Sequence, residues 1–491
     1  MNHLKGRAIG GRLVVILAAH GCLAALLSGC VAGPNYGGPP AVAAVSLQKH
    51  AFVRDDGKSF DETLPASRWW ESLDDATLCL LIQDAMAANP TVESAEARVR
   101  GARAQILLQQ SKYLPSGGSN AAYVRARSGS GITSLSNASP IDVYSATFDA
   151  TWEIDLFGAT RRAVEGARAS AEGAQAAFED AQVQLAAQVA QSYVTLRAAQ
   201  THLRLTEQTV KLRSKAVALT RQRVDHGTAA RVDLDRELAD LSQARAQVPT
   251  GRAEVELELD QLAILTGREP GSLDALLDGD ESMTVSVPTP PASVPVGTPA
   301  EWLRRRPDIR SAERTLAARN AAIGQNVAAY FPNVSLLGLF GAAATAPSGL
   351  RSGAPLSVVA PSLSWSFLDY PRTRANVRSA EADRDQAVAD YHRSVLQALQ
   401  DANSSLERFG RLEQTVQDSR EARDSAAHAA QLTEERYAAG TATLIDSLDT
   451  ERQRMAAEYQ LVSAQADLMI AYVSLQKSLG LGWGAGVRGA S

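Results

Sequence analysis

Cysteine is nearly missing from this chain. There are three, Cys22, Cys30 and Cys79, in 491 residues. Two of them lie in the first thirty residues, so a disulfide framework or a thiolate metal site has only Cys79 to draw on and is excluded. Cys79 is expected to be a small buried residue. Aromatic residues make up 5% of the chain. Charge is mildly acidic, with a formal net of −5 and no basic block, which excludes nucleic acid as an expected partner. After the first thirty residues no apolar run approaches the ~20 residues of a spanning helix. If the chain crosses a membrane, it does so with strands. His202, His226, His392 and His428 are scattered without metal-ligand spacing. The glycine-rich pieces lack the Lys-Ser/Thr of a phosphate loop and the context of a dinucleotide fold. No enzyme, metal site or cofactor is expected.

Proline is absent from Thr160 to Arg223, and the only glycines there are Gly166 and Gly173. Val164, Ala167, Ala171, Ala174, Phe178, Ala181 and Leu185 fall at alternating three- and four-residue steps. That is the seam of a helix packed along its length on partner helices. About 60 residues make a rod of roughly 95 Å. A solvent-exposed coiled-coil stalk would share this pattern. The rod occurs twice, because a second begins near Pro371 and runs to about Ala438, with Val388, Tyr391, Val395, Ala398 and Ala402 at the same spacing. A shift of 213 residues aligns Trp152 with Trp365, Arg223 with Arg436, Gly227-Thr228 with Gly440-Thr441 and Asp233 with Asp446. Upstream the shift is 217, aligning Pro90 with Pro307 and Pro115 with Pro332. The chain is an internal duplication of a unit ordered helix, strands, long helix, turn, helix.

Residues 1–29 read as a targeting segment, with Lys5, Arg7 and Arg12 ahead of the apolar run Leu13–Leu27. Leu27-Ser28-Gly29-Cys30 resembles the lipobox of bacterial lipoproteins, which would make Cys30 the lipidated (palmitate-bearing) mature N-terminus. An ordinary secretory signal with an incidental cysteine is the alternative. Removal takes away three positive charges and no negative ones, moving the net charge from −5 to −8. Val31 at the next position, rather than Asp, favours the outer membrane by the same resemblance. The Pro/Gly/Ala-rich stretch from Val31 to about Ala66 reads as an extended tether, with Trp69-Trp70 anchoring its end.

A helix is expected from Asp74 to Lys112, broken at Asn89-Pro90. Two strand segments follow, separated by a polar loop, Ser128–Pro140. From Val143 to Trp152 one face carries Tyr144, Ala146, Phe148, Ala150 and Trp152, and the other Ser145, Thr147, Asp149 and Thr151. Strict alternation over this length fits a membrane strand and also fits a strand on a soluble sheet. In the second half, Asn333–Ala344 and Ser357–Phe367 are the counterparts, the latter with an irregularity expected at Pro361. Four strands cannot close a barrel, and open edges are not tolerated in lipid, so several chains must share one barrel. Helices are expected at Val232–Leu265, Pro299–Tyr330 and Leu444–Leu479. Between the first two lies a Pro-rich break with weak strand character around Met283–Val287.

Cys30 followed by Val31-Ala32-Gly33-Pro34-Asn35-Tyr36, then Trp69-Trp70, resembles the start of the outer-membrane lipoproteins of tripartite efflux pumps. Leu303-Arg304-Arg305-Arg306-Pro307-Asp308-Ile309-Arg310-Ser311-Ala312-Glu313 and Tyr330-Phe331-Pro332-Asn333-Val334-Ser335-Leu336 are similar to their central signature, and Gly440–Arg452 to their C-terminal hairpin. The chain is identified as a member of the TolC-like outer-membrane factors, OprM/NodT branch. The resemblance implies a mainly α fold with a membrane β-barrel portion: a homotrimer sharing a twelve-stranded barrel in the outer membrane above a periplasmic tunnel of coiled-coil helices. Its tip would dock on a periplasmic adaptor and, through it, on an inner-membrane proton-driven pump of the RND type.

On this reading, residues 1–29 are the signal, 30–73 the lipid-anchored tether, and 74–113 and 300–330 tunnel helices. Residues 114–156 and 331–369 are the membrane hairpins, and 157–266 and 370–480 the long helical hairpins. Residues 267–299 are an equatorial linker and 481–491 a tail. Asp446 and Asp449 share a helix face after the Gly440 turn, and Arg452 extends it. As rings of three they would form a cation-favouring constriction. In the family, carboxylates and an arginine of this hairpin form the periplasmic gate; Asp449 and Arg452 match its Leu-Asp-x-x-Arg pattern, with Ile445 as an apolar component. Capping and surface charges at a helix start are the plain alternative. Asp233 and Asp235 of the first hairpin are weaker gate candidates. Gly227, Thr228, Gly440 and Thr441 set the turns and are possible adaptor contacts. Arg304–Arg306, beside Pro307, are expected to anchor helix ends. The function expected is a passive, gated export duct for small molecules such as drugs, with outer-membrane lipid around it. A protein-secretion duct and a pore-less periplasmic coiled-coil adaptor are the alternatives.

Overall fold

The computed structural model describes residues 31–42, 60–61, 63, 65–126, 140–277, 286–352 and 355–483. Cys30 and its lipobox, nearly all of the polar loop at 128–140 and most of the 283–287 segment lie outside them. Eight helices carry the argument. They are α1 (Ala76–Ala88), α2 (Pro90–Ser111), α3 (Ala159–Asp225), α4 (Arg231–Leu265), α5 (Pro299–Arg305), α6 (Pro307–Ala328), α7 (Tyr370–Ala438) and α8 (Leu444–Ser478). Four strands form one sheet: β1 (Ser116–Ala126), β2 (Ile141–Ile154), β3 (Asn333–Ala344) and β4 (Pro355–Ser364). Helices α2 and α6 are both 22 residues long, and α4 and α8 are both 35. The duplication seen in the sequence is therefore a duplication of elements.

Prolines place the breaks. Asn89 and Arg306 both take extended backbone (ψ 126 and 120), since a following proline disfavours the helical conformation. The expected single helix from Pro299 to Tyr330 is thus two, α5 and α6, divided at Arg306 as α1 and α2 are divided at Asn89. Pro249 lies inside α4, where it removes one amide from the ladder; Val462 holds the matching place in α8. Pro361 does not interrupt β4, and its register runs through opposite Leu336. Within one chain, and among the described residues, β4 is the outermost strand of the sheet. The strand ends at Ser364, short of the expected Phe367, which lies in a 3-10 turn. The short strand of the Pro-rich segment is at Val294–Pro295, paired in parallel with Phe60–Asp61.

The chain divides into two compact units. The first comprises Met1–Pro40, Arg98–Ala174 and Ala312–Tyr391. It holds the antiparallel sheet, ordered β1-β2-β3-β4. One face gathers Tyr144, Phe148 and Trp152 of β2 with their register partners Tyr123 and Phe340. Most of these rings are exposed, and Tyr123 stacks on Tyr144 at 4.8 Å. The other face of β2 carries Ser145, Thr147 and Asp149, the last accepting from Asn120. Each half is stitched the same way. Trp152 Nε1 donates to the Tyr113 carbonyl at 2.9 Å, and Trp365 Nε1 to the Tyr330 carbonyl at 3.0 Å. Residues 31–36 are tied down as well. Buried Arg162 donates to the carbonyls of Ala32 and Gly33 and to Asn35 Oδ1, while Asn320 Nδ2 donates to the Pro34 carbonyl.

The second unit comprises Ala41–Ala97, Gln175–Ser311 and His392–Ser491. Its interior buries Leu78, Leu81 and Ile82 of α1, Leu262 of α4 and Met469 and Leu475 of α8, each worth ~1.5–3 kcal/mol of transfer free energy. Phe60, Phe409, Tyr472, Trp69 and Trp70 form a run of ring contacts at 5.7–6.2 Å. Trp69-Trp70 is buried there, an anchor as expected. Cys79 is half-buried rather than buried, with Sγ toward the Trp70 carbonyl. Among the described residues no helix is long and apolar enough to cross a membrane.

Candidate functional site: the hairpin turns

Both long hairpins turn through one local structure. Gly227 and Gly440 adopt φ of 70° and 71°, where a side chain would strain the backbone. Thr228 N–H reaches back to the Arg223 carbonyl (2.7 Å), and Thr441 N–H to that of Arg436 (2.8 Å). Each threonine hydroxyl donates to the same carbonyl. This satisfies carbonyls left over at the ends of α3 and α7. An added Cβ at either glycine meets nothing within 4 Å, so the glycines serve the turn and not packing.

The return helices differ in their caps. Thr443 Oγ1 accepts from the Asp446 amide (3.1 Å), and Asp446 Oδ2 accepts from both the Thr443 amide (3.0 Å) and its hydroxyl (2.7 Å). This is a full capping box, legible in the sequence as Thr-x-x-Asp. In the first hairpin Asp233 Oδ2 accepts from the Ala230 amide at 3.3 Å. Alanine has no side-chain acceptor, so that box is half made. The hydroxyl of Thr443, with its amide and Arg436 nearby, holds the Asp446 carboxyl below the usual carboxylate range.

Asp449 lies one turn further. Arg452 Nη2 donates to its Oδ1 at 2.6 Å and Gln453 Nε2 to its Oδ2 at 2.8 Å, so both carboxylate oxygens are engaged within α8. Both members of the pair stay solvent-exposed. Ile445 is exposed, an apolar side chain with little of its own chain over it. In the first hairpin Asp235 faces Arg231 one turn back on α4 at 3.7 Å. The candidate residues therefore gather in two turn-and-first-turn clusters. Arg452 also borders a cavity of about 310 Å³ with Leu205 and Leu212 of α3 and Leu448 and Met455 of α8.

Two long-range contacts lie away from the turns. His202 of α3 stacks on Tyr459 of α8 at 3.8 Å, and burial pushes its pKa down. Arg306 forks onto Asp308 (2.9 and 2.6 Å) and donates to the Ser478 carbonyl (2.7 Å), which also accepts from Trp302 Nε1 (2.9 Å). Arg306 thus anchors the end of α8, the role expected of the Arg304–Arg306 group, whereas Arg304 is exposed. Among the described residues no cluster of His, Cys, Asp or Glu could hold a metal ion.

The sequence profile of the family "Outer membrane efflux protein" matches residues 81–268 and again 298–481. The chain belongs to that family. The two matched blocks coincide with the two structural repeats. Outer membrane protein OprJ of Pseudomonas aeruginosa is 30% identical over 482 residues, covering 94% of this chain and 95% of OprJ. ArpC of Pseudomonas putida, an antibiotic efflux pump outer membrane protein, is 28% identical over 93% of this chain and 94% of its own. The solved outer-membrane channel OprN superposes with a TM-score of 0.82 at 33% identity, covering 92% of this chain and all of OprN. This outer membrane efflux protein has the α-helical and β-stranded fold of those channels and is an outer-membrane efflux component.

Proposed function

We propose that this chain is the outer-membrane duct of a tripartite pump: a lipid-anchored homotrimer that passes small toxic solutes, drugs among them, from a periplasmic adaptor and an inner-membrane proton-driven pump of the RND type. The observation that carries the reading is the four-stranded sheet. It has one aromatic face and, among the described residues, two unpaired outer edges. An open sheet cannot stand in lipid, and copies joined edge to edge remove every edge. The duct performs no chemistry and draws its energy from the pump. Passage is controlled at the second hairpin, where Ile445, Asp446, Asp449 and Arg452 recur around the axis as a charged and apolar constriction. Asp233 and Asp235 of the first hairpin contribute less, because Arg236 and Ala239 stand where the second hairpin has Asp449 and Arg452. Gly227-Thr228 and Gly440-Thr441 cap the ends that meet the adaptor. The antibiotic export named for ArpC supports the substrate class.

The experiment is single-channel recording of the detergent-extracted protein in a planar bilayer. Discrete, mostly closed currents are expected. Folded protein that gives no conductance overturns the duct and favours a pore-less coiled-coil adaptor.

A further inference from the structure

Helices α3 and α8 run antiparallel. Gln191 Nε2 donates to Ser474 Oγ at 3.2 Å and, nearer the turns, His202 stacks on Tyr459. The same register, continued toward the turns, sets Thr209 against Ala456. Two small side chains meet there, where larger ones would fill the seam. The space left is the cavity of about 310 Å³, walled by Leu205 and Leu212 of α3 and by Leu448 and Met455 of α8. The ring of Tyr459, held by its stack on His202, closes one end. A cavity of ~150 Å³ lined by apolar side chains takes benzene, so this one has room for two linked or fused rings. The Met455 thioether adapts to irregular shapes and makes favourable contacts with aromatic rings.

Charge decides what could enter. Three ionic side chains line the cavity, and each already has a counterion. Glu451 is forked by Arg454 at 2.7 and 2.9 Å, and Arg452 donates to Asp449. Arg213 lies 3.3 Å from Asp240 and 3.6 Å from Glu237. The Thr206 and Thr209 hydroxyls donate to carbonyls of their own helix, those of His202 and Leu205. A charged ligand would have to break one of these ion pairs, whereas a neutral ring displaces only water from apolar walls. Ala456 and Tyr459 are exposed, so the cavity is open on that side. We propose that it is a binding site for a small neutral aromatic molecule, held between Leu205 and Leu212 on the first hairpin and Leu448 and Met455 on the second. Such a molecule touches both helices and ties the two hairpins together beside Arg452. This is an effector site, which goes beyond the duct reading and does not depend on it.

The test is photolabelling of the full chain in outer-membrane vesicles with benzophenone, a neutral two-ring ketone. Its excited carbonyl takes a hydrogen from a nearby C–H and the two carbons join, so an adduct on Met455, read by peptide mass mapping, reports occupancy. Labelling of Met455 is expected to saturate and to be displaced by excess naphthalene. It should fall about tenfold in Ala456→Phe, whose ring takes up the space while Met455 stays in place. Ala456 is exposed, so the variant does not crowd a core. Carboxylate and trimethylammonium derivatives of benzophenone should label Met455 about tenfold less than the neutral ketone. No adduct at Met455, or labelling that neither naphthalene nor Ala456→Phe reduces, overturns the site. Stronger labelling by either charged derivative overturns the neutral class. Labelling needs a folded chain and not a conducting pore, so protein that labels as expected but carries no current keeps the site and loses the duct.

Discussion

Replacing Asp449 and Arg452 together by alanine separates a gate from a surface ion pair. Within one chain the two side chains pair across three residues of a single helix, 46% and 62% exposed. Such a pair contributes ~0.3–0.5 kcal/mol. The Gln453 contact adds little, and alanine is the best helix former. The double variant should therefore unfold within ~2 °C of wild type. A gate built from three copies behaves differently. If each copy contributes ~1 kcal/mol of contact that exists only in the closed state, removing all three shifts the closed-to-open ratio by ~3 kcal/mol, about 100-fold. The assay is open probability in a planar bilayer, read beside thermal unfolding of the same preparation. Currents that rise strongly with an unchanged midpoint are expected. Wild-type currents in the double variant refute the gate and leave the pair as surface charge. A midpoint lowered by more than ~5 °C refutes the assumption that the pair carries no fold.

Thr443→Ala should cost ~1 kcal/mol at the start of α8, read as faster hydrogen exchange in its first turn, whereas Ala230→Thr should slow exchange at the start of α4. Because the folded Asp446 carboxyl is held below its usual range, its contribution is fully present above the ordinary carboxylate pKa and is lost as pH falls through the lower folded value. Amide protection at the second tip, corrected for the intrinsic exchange rate, should therefore fall on acidification through that lower value, and a second tip whose protection does not change with acid would contradict the cap assignment. Arg306→Ala should lower stability by ~2–4 kcal/mol, with the Asp308 carboxylate losing its fork, and Arg306→Lys should recover only part of it, measured by thermal unfolding. Gly267→Ala should be far more damaging than Gly440→Ala. Both have positive φ and carry ~1–2 kcal/mol of strain, but at Gly267 the new Cβ would lie 2.3 Å from the Ala88 carbonyl oxygen, while at Gly440 the space is open.

Features with a local physical cause were legible in the sequence. The alternation through Tyr144, Phe148 and Trp152 is a period-two signal, and β2 is where it says. The 213-residue repeat foretold two hairpins with matching turns, because Gly227 and Gly440 need the same left-handed backbone. Long-range consequences were not legible. Pro361 looked like a break, since strand pairing is a property of the whole sheet. Arg306 precedes Pro307 as Asn89 precedes Pro90, and the helix divides at both, although the residues around Arg306 suit one continuous helix. Arg162 holding residues 31–36 has no local signature, because its partners lie about 130 positions away in the chain. At the candidate gate, the sequence placed Asp446 and Asp449 on one face but did not show that Thr443 and Arg452 of the same helix already occupy their oxygens.

The unequal caps have a mechanical side. Helix α4 starts on a half-made box and has a gap in its ladder at Pro249, where the proline amide has no hydrogen to give. Helix α8, of the same length, starts on a closed box, with Val462 at the corresponding place. An interior proline costs a helix ~3 kcal/mol, and a helix divided by one yields as two short segments instead of one long one. The two hairpins of a chain are thus springs of different stiffness. A load applied to both tips would be taken up as displacement mainly by the first, while the second, which carries Asp446, Asp449 and Arg452, would move as a rigid lever.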